Sequence, residues 1–133
     1  MTTNPVAEQT QAAPQPVKPA KRISVIQDRN SATFAHFSGI MGVVPPALVY
    51  YLKRKNAPFT EQESLEAVNF TLIPSIAIAV CIVLSIFMPD AASGLMLAAA
   101  LVWIFMAIGA MRAGVHVNSG NPYRYRFVVR LFH

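Results

Sequence analysis

Two uncharged apolar stretches, Ala67–Met88 and Ala91–Met111, stand back to back with only Pro89 and Asp90 between them. They are 22 and 21 residues long. An α-helix rises about 1.5 Å per residue, so roughly 20 residues cross a hydrocarbon core about 30 Å thick. Inside lipid every backbone N–H and C=O must be paired within its own segment, which makes both stretches helices. A third stretch without Lys, Arg, Asp or Glu, Ser31–Leu52, also has 22 residues but is broken by Pro45 and Pro46. Three such segments leave no room for a separate soluble domain in 133 residues. The expected fold is an all-α membrane protein. Two transmembrane helices form a hairpin, beside a proline-broken first segment that is either re-entrant or a third, kinked transmembrane helix.

Charge placement bears on that choice. Lys18, Lys21, Arg22 and Arg29 precede the first segment, and Lys53, Arg54 and Lys55 follow it. No Lys or Arg lies between Lys55 and Arg112, and Arg112, Arg124, Arg126 and Arg130 follow the third segment. Translocated flanks avoid basic residues, which puts the Pro89-Asp90 turn outside and both open ends of the hairpin inside. The basic N-terminal flank also prefers the inside, which favours a first segment that dips in at Ser31–Gly42 and returns over Pro46–Lys55. A straight helix kinked at Pro45-Pro46 stays open as the alternative, because neighbouring helices tolerate such kinks.

The predicted organisation follows. Residues 1–30 form a disordered cytoplasmic tail, for Pro5, Pro14, Pro16 and Pro19 stand among few large apolar side chains. Residues 31–133 form the membrane domain, with a broken segment at 31–55, helices at 60–88 and 91–114, and an interfacial tail at 121–133. Thr60-Glu61-Gln62-Glu63 fits a capping box, which would start the second helix at Thr60. Pro74 would interrupt that helix. The closing run Tyr123 to His133 alternates aromatic and basic residues, and its periodicity fits helix and strand alike.

Composition excludes several function classes. The net charge of +5 flanks apolar helices, where it reads as a topology signal and a contact for anionic lipid headgroups rather than for nucleic acid. One cysteine, Cys81, allows no internal disulfide. Residues 1–30 hold no hydrophobic run with a small-residue cleavage site, so no signal peptide is expected. There is no HExxH, GxSxG, Walker glycine loop or cysteine pair, so no enzyme, metal site or cofactor is expected.

Polar residues near apolar helices are the remaining candidates. His36, among Phe34, Ala35 and Phe37, is an ionisable group in an apolar segment; such groups mark proton or ion paths, or simply hydrogen-bond a neighbouring helix. Glu66 and Asn69 stand one helical turn apart where the second segment begins, and could form a polar site with His36 or Arg112. Their plainer role is pairing inside the bundle, where membrane hydrogen bonds are worth about 0.6 kcal/mol on average. Tyr123, Arg124, Tyr125, Arg126 and Arg130 suit a lipid or partner contact at the inner interface. The pairs Ala35/Gly39, Ser75/Ala79 and Gly109/Ala113 permit close helix approach, and Trp103 is most simply a packing residue.

Several blocks taken together resemble a known family. Phe34-Ala35-His36-Phe37-Ser38-Gly39 is followed by Pro46-Ala47-Leu48-Val49-Tyr50-Tyr51-Leu52-Lys53, by Ala57-Pro58-Phe59-Thr60 and by Glu66-Ala67-Val68-Asn69-Phe70. The ending is Gly120-Asn121-Pro122-Tyr123-Arg124-Tyr125. In order and spacing these blocks resemble the Tic-twenty-like family of small bacterial membrane proteins, a domain of unknown function. The resemblance covers about Ala32 to Phe132 and departs from the family at Arg126, where a proline is usual. It implies a membrane location and a distant kinship with protein import, and no catalytic residue.

The expected function is thus that of a non-enzymatic accessory or scaffold subunit of a larger membrane complex. Its partners would be the lipid bilayer, anionic headgroups and other membrane subunits. The alternative is an oligomeric channel or protein-translocation component. The expected location is the bacterial plasma membrane, multi-pass, with both termini cytoplasmic.

Overall fold

The computed structural model describes residues 23–126, 128 and 130–132. The expected disordered tail lies, up to residue 22, outside the described residues, as do three positions of the closing run. Among the described residues are four helices: α1 (Val25–Ser38), α2 (Val44–Lys53), α3 (Pro58–Phe87) and α4 (Ala92–Asn118). Short 3₁₀ turns at Gly39–Met41 and Pro89–Ala91 join the first and last pairs. No strand occurs among the described residues.

The broken first segment is a helical hairpin of its own. Helix α1 starts at Val25, inside the stretch expected as tail, because the Ser24 hydroxyl accepts from the Gln27 N–H at 3.3 Å and caps it. It ends in the 3₁₀ turn, and Gly42 then takes φ +106°, a left-handed value that side chains rarely adopt. Pro45 and Pro46 fall in the first turn of α2, where their missing N–H groups have no intrahelical partner to lose. They therefore start a helix instead of kinking one. At the far end the Ile23 N–H meets the Asn56 C=O at 3.4 Å, so the two ends of the pair lie together.

Helix α3 begins two residues earlier than the capping box predicts. Pro58 is its first residue, and its free N–H groups are met from another helix. The Asp28 carboxylate of α1 accepts from Phe59 N–H at 3.2 Å and from Thr60 N–H at 2.7 Å. The Thr60 hydroxyl turns to Asp28 as well, 2.7 Å from its carbonyl oxygen. Asp28 thus does from a distance what a cap side chain does locally. Helix α3 also continues through Pro74, although the proline ring denies an N–H to the Phe70 carbonyl.

Helices α3 and α4, about 45 and 40 Å long at 1.5 Å per residue, form the membrane-spanning hairpin. Its two halves are covered unequally. In the half near the open end, α1 and α2 lie against the hairpin. Small side chains at the contacts, Ala32, Ala35, Ala67, Ala110 and Ala113, are almost wholly buried and let the backbones approach. Gly109 is part of the same device: a Cβ there would run into the Phe70 ring. In the other half every buried residue of α3 has been left behind at Thr71. Ile76, Val80, Val83 and Ile86 of α3, with Leu97 and Leu101 of α4, are exposed, which suits hydrocarbon and not water. The tip of the α1–α2 pair reaches this level: Val43 N–H donates to Ser75 Oγ at 3.0 Å, and Trp103 Nε1 to the Ile40 carbonyl at 3.0 Å. Met41 and Val44 at the tip are likewise exposed.

Candidate functional site

The open end of the hairpin holds the polar residues, gathered along one slanted stripe of α3. Glu63, Glu66 and Asn69 are three residues apart, so successive side chains are neighbours on the helix surface. Helix α4 runs to Asn118, a turn past the predicted end, and Gly120 at φ +85° turns the chain back across this stripe. The described residues of the closing run are neither helix nor strand. Side chains of α3 provide bonding partners for several of their backbone groups.

Three clamps hold them. First, the Tyr123 N–H donates to Glu63 Oε2 at 3.2 Å. The same oxygen lies 3.0 Å from His36 Nε2, and His36 Nδ1 lies 3.2 Å from the Tyr125 hydroxyl. His36 and Glu63 are both fully buried. The Tyr125 ring stacks on Phe70 with centroids 3.9 Å apart and planes 2° from parallel, and Tyr123 meets it edge-on at 4.9 Å. Second, Arg130 Nε donates to Glu66 Oε1 at 3.0 Å. Third, Asn69 Oδ1 accepts from the N–H groups of Leu131 and Phe132, both at 3.1 Å, while Nδ2 donates to the Phe132 carbonyl at 3.0 Å. Asn69 behaves as a spare peptide group.

One proton arrangement satisfies the first clamp throughout. Burial pushes the Tyr125 phenol well above its ordinary value near 10, and the neighbouring Tyr123, Glu63 and Glu66 add to the shift. The phenol therefore keeps its proton and has it to give to His36 Nδ1; with Nδ1 accepting, Nε2 is the nitrogen that donates to Glu63 Oε2. The chain phenol to imidazole to carboxylate uses each donor once. Breaking a buried pair of this kind by removing one partner costs about 3–5 kcal/mol, mostly because the other partner is stranded. Glu63 Oε1 and Glu66 Oε2 have no hydrogen-bond partner among the described residues, so the second oxygen of each carboxylate is uncommitted.

Of the residues singled out from sequence, His36, Glu66 and Asn69 all face the closing run. Arg112 does not join them. It is exposed on α4, lining a shallow groove with Met111, Val115, His116 and Ser119. Arg124 and Arg126 are exposed, and Arg130 is partly so while bonded to Glu66. Tyr125 is buried instead of facing lipid or a partner, because its ring finds Phe70 and its hydroxyl finds His36. Glu63 and Asp28 went unrecognised. Glu63 had a plausible local role in a capping box, yet its three-residue spacing from Glu66, and that of Glu66 from Asn69, marked the same stripe. No group of three or more His, Cys, Asp or Glu suited to a metal ion occurs among the described residues.

Residues 27–132 match the model of a family described as the magnetosome magnetite crystal formation protein family. No curated relative and no solved structure matches. The match corrects the Tic-twenty-like resemblance, whose blocks all lie within the matched span. Those blocks hold small residues at helix contacts, Pro46 in the first turn of α2, the Pro58 start of α3 and the Gly120 turn. They are what packing a short helical pair against a hairpin demands, and so are a poor guide to lineage.

Proposed function

Because the chain belongs to the magnetosome magnetite crystal formation protein family, a group of non-catalytic membrane proteins, we propose that it is an accessory subunit of the membrane assembly within which magnetite crystals form. The family match over residues 27–132 carries this reading. The bundle supports it in two ways. Three ionisable residues of the open end, His36, Glu63 and Tyr125, form one buried bonded chain, which favours a positioning part over a channel. Two crossing helices also cannot enclose a pore by themselves.

The assembly would be met from the open end. Lys53, Arg54 and Lys55 close α2 there, and Arg124 and Arg126 stand exposed on the clamped run. These cations suit anionic headgroups or an acidic face of another membrane subunit. By the same charge rule the open end is cytoplasmic and the Pro89–Ala91 turn lies across the membrane.

Deleting the coding sequence in a magnetite-forming bacterium is the test. Crystals measured by electron microscopy should change in size or shape, and the full chain supplied back should restore them. Crystals unchanged in size, shape and number would refute the reading.

A further inference from the structure

Outside the clamps, the open end has a groove between α1 and α2, with a volume of about 350 Å³. Position along either helix is depth here, because the two helices close at Ile23–Asn56 and turn at Gly42. Gln27, Lys53 and Leu52 stand nearest the closure, Asn30, Ser31 and Val49 follow, and Phe34 lies deepest. At 1.5 Å per residue Gln27 is about 6 Å from the closure and Phe34 about 16 Å. The wall is mostly apolar, with its cation beside the closure and an apolar track along Leu52, Val49 and Phe34.

The charge at the mouth has one sign. Lys53 is part of the wall, and Arg54 and Lys55 come directly after it, with the Arg54 guanidinium held 5.4 Å above the Tyr51 ring. The sole acid of α1, Asp28, is turned away and spent on capping α3. Helix α2 has no acid at all.

We propose that this groove holds one phospholipid with an anionic headgroup, its phosphate region at Lys53 and Gln27 and an acyl chain along Phe34, Val49 and Leu52. The site rests on the chain's placement in a bilayer and not on a role in crystal formation, so its failure would leave that role standing.

Native mass spectrometry of the full chain in detergent tests the site, with phosphatidylglycerol or phosphatidylcholine added to the micelles. The wild type should retain one phosphatidylglycerol in preference to phosphatidylcholine. Lys53→Gln should lower phosphatidylglycerol retention about fivefold and leave phosphatidylcholine unchanged, the effect of one basic group at a membrane surface. Val49→Trp should fill the groove and abolish retention of both. Leu52→Trp, at an exposed position of the same wall, repeats the blocking test if Val49→Trp does not fold. Arg112→Gln, exposed on α4 outside the groove, should retain lipid as the wild type does. Equal retention of the two lipids by the wild type would overturn the proposal. So would undiminished retention by the tryptophan variants, or an equal loss with Arg112→Gln.

Discussion

Tyr125→Phe isolates one oxygen atom in the clamp that holds the closing run. The ring stays and keeps its stack on Phe70 at 3.9 Å. What disappears is the hydroxyl 3.2 Å from His36 Nδ1, on an imidazole with no exposed surface. A buried acceptor left without its partner costs about 1–3 kcal/mol. Every 1.4 kcal/mol is tenfold in an equilibrium, so release of the run should rise roughly 5- to 150-fold. Amide hydrogen exchange in detergent micelles reads this directly, for the N–H groups of Tyr123, Leu131 and Phe132 are bonded to α3 side chains and exchange when the run lets go. Protection at those amides should fall by that factor while amides in the middle of α3 stay as they were. Tyr125→Ala should go further, because loss of a buried aromatic ring costs about 3–5 kcal/mol. A His36→Ala background should remove most of the Tyr125→Phe effect, since both changes delete the same bond. If Tyr125→Phe exchanges like the wild type while Tyr125→Ala does not, the hydroxyl contributes nothing and the clamp is only a ring stack.

The same phenol sets an alkaline limit. Its folded pKa is raised, so its contribution to stability is complete below pH 10 and is lost as pH rises from there toward the folded value. Absorbance titration at 295 nm should show no difference between wild type and Tyr125→Phe near pH 10, and a one-phenol difference once denaturing detergent opens the fold. Gly42→Ala should destabilise by about 1–3 kcal/mol, because an alanine would be held at φ +106° with its Cβ 3.2 Å from Ser75 Oγ. Gly94→Ala, where a Cβ meets nothing within 4 Å, is the control, and equal melting temperatures for the two variants would refute the turn's role. Asp28→Ala should cost about 0.5–2 kcal/mol as a lost cap and should speed exchange at the Phe59 and Thr60 amides. Unchanged exchange there would mean that α3 starts without help from α1.

The parts of the fold governed by local rules could be read from the chain. Hydropathy marked the hairpin because lipid admits only long apolar helices. Pro45-Pro46 marked the break because a proline pair can begin a helix but not continue one cleanly. The polar clamps were harder, since their partners are far apart in sequence. His36 finds Tyr125 across 89 residues, and Glu66 finds Arg130 across 64. At Thr60 and Glu63 a local rule offered a self-sufficient answer, and tertiary contacts from Asp28 and His36 displaced it. The closing run defeated periodicity for a related reason: several of its backbone groups are bonded to side chains, a pattern that has no period.

The unequal cover of the hairpin has a mechanical consequence. Four helices lie side by side at the level of Ala35 and Ala110, and two at the level of Val83 and Leu97. A helix about 10 Å across takes up roughly 80 Å². With the α1–α2 pair embedded in one leaflet, each copy would displace on the order of 160 Å² more there than in the other. A patch crowded with such wedges would relieve the mismatch by curving, its broad side on the convex face.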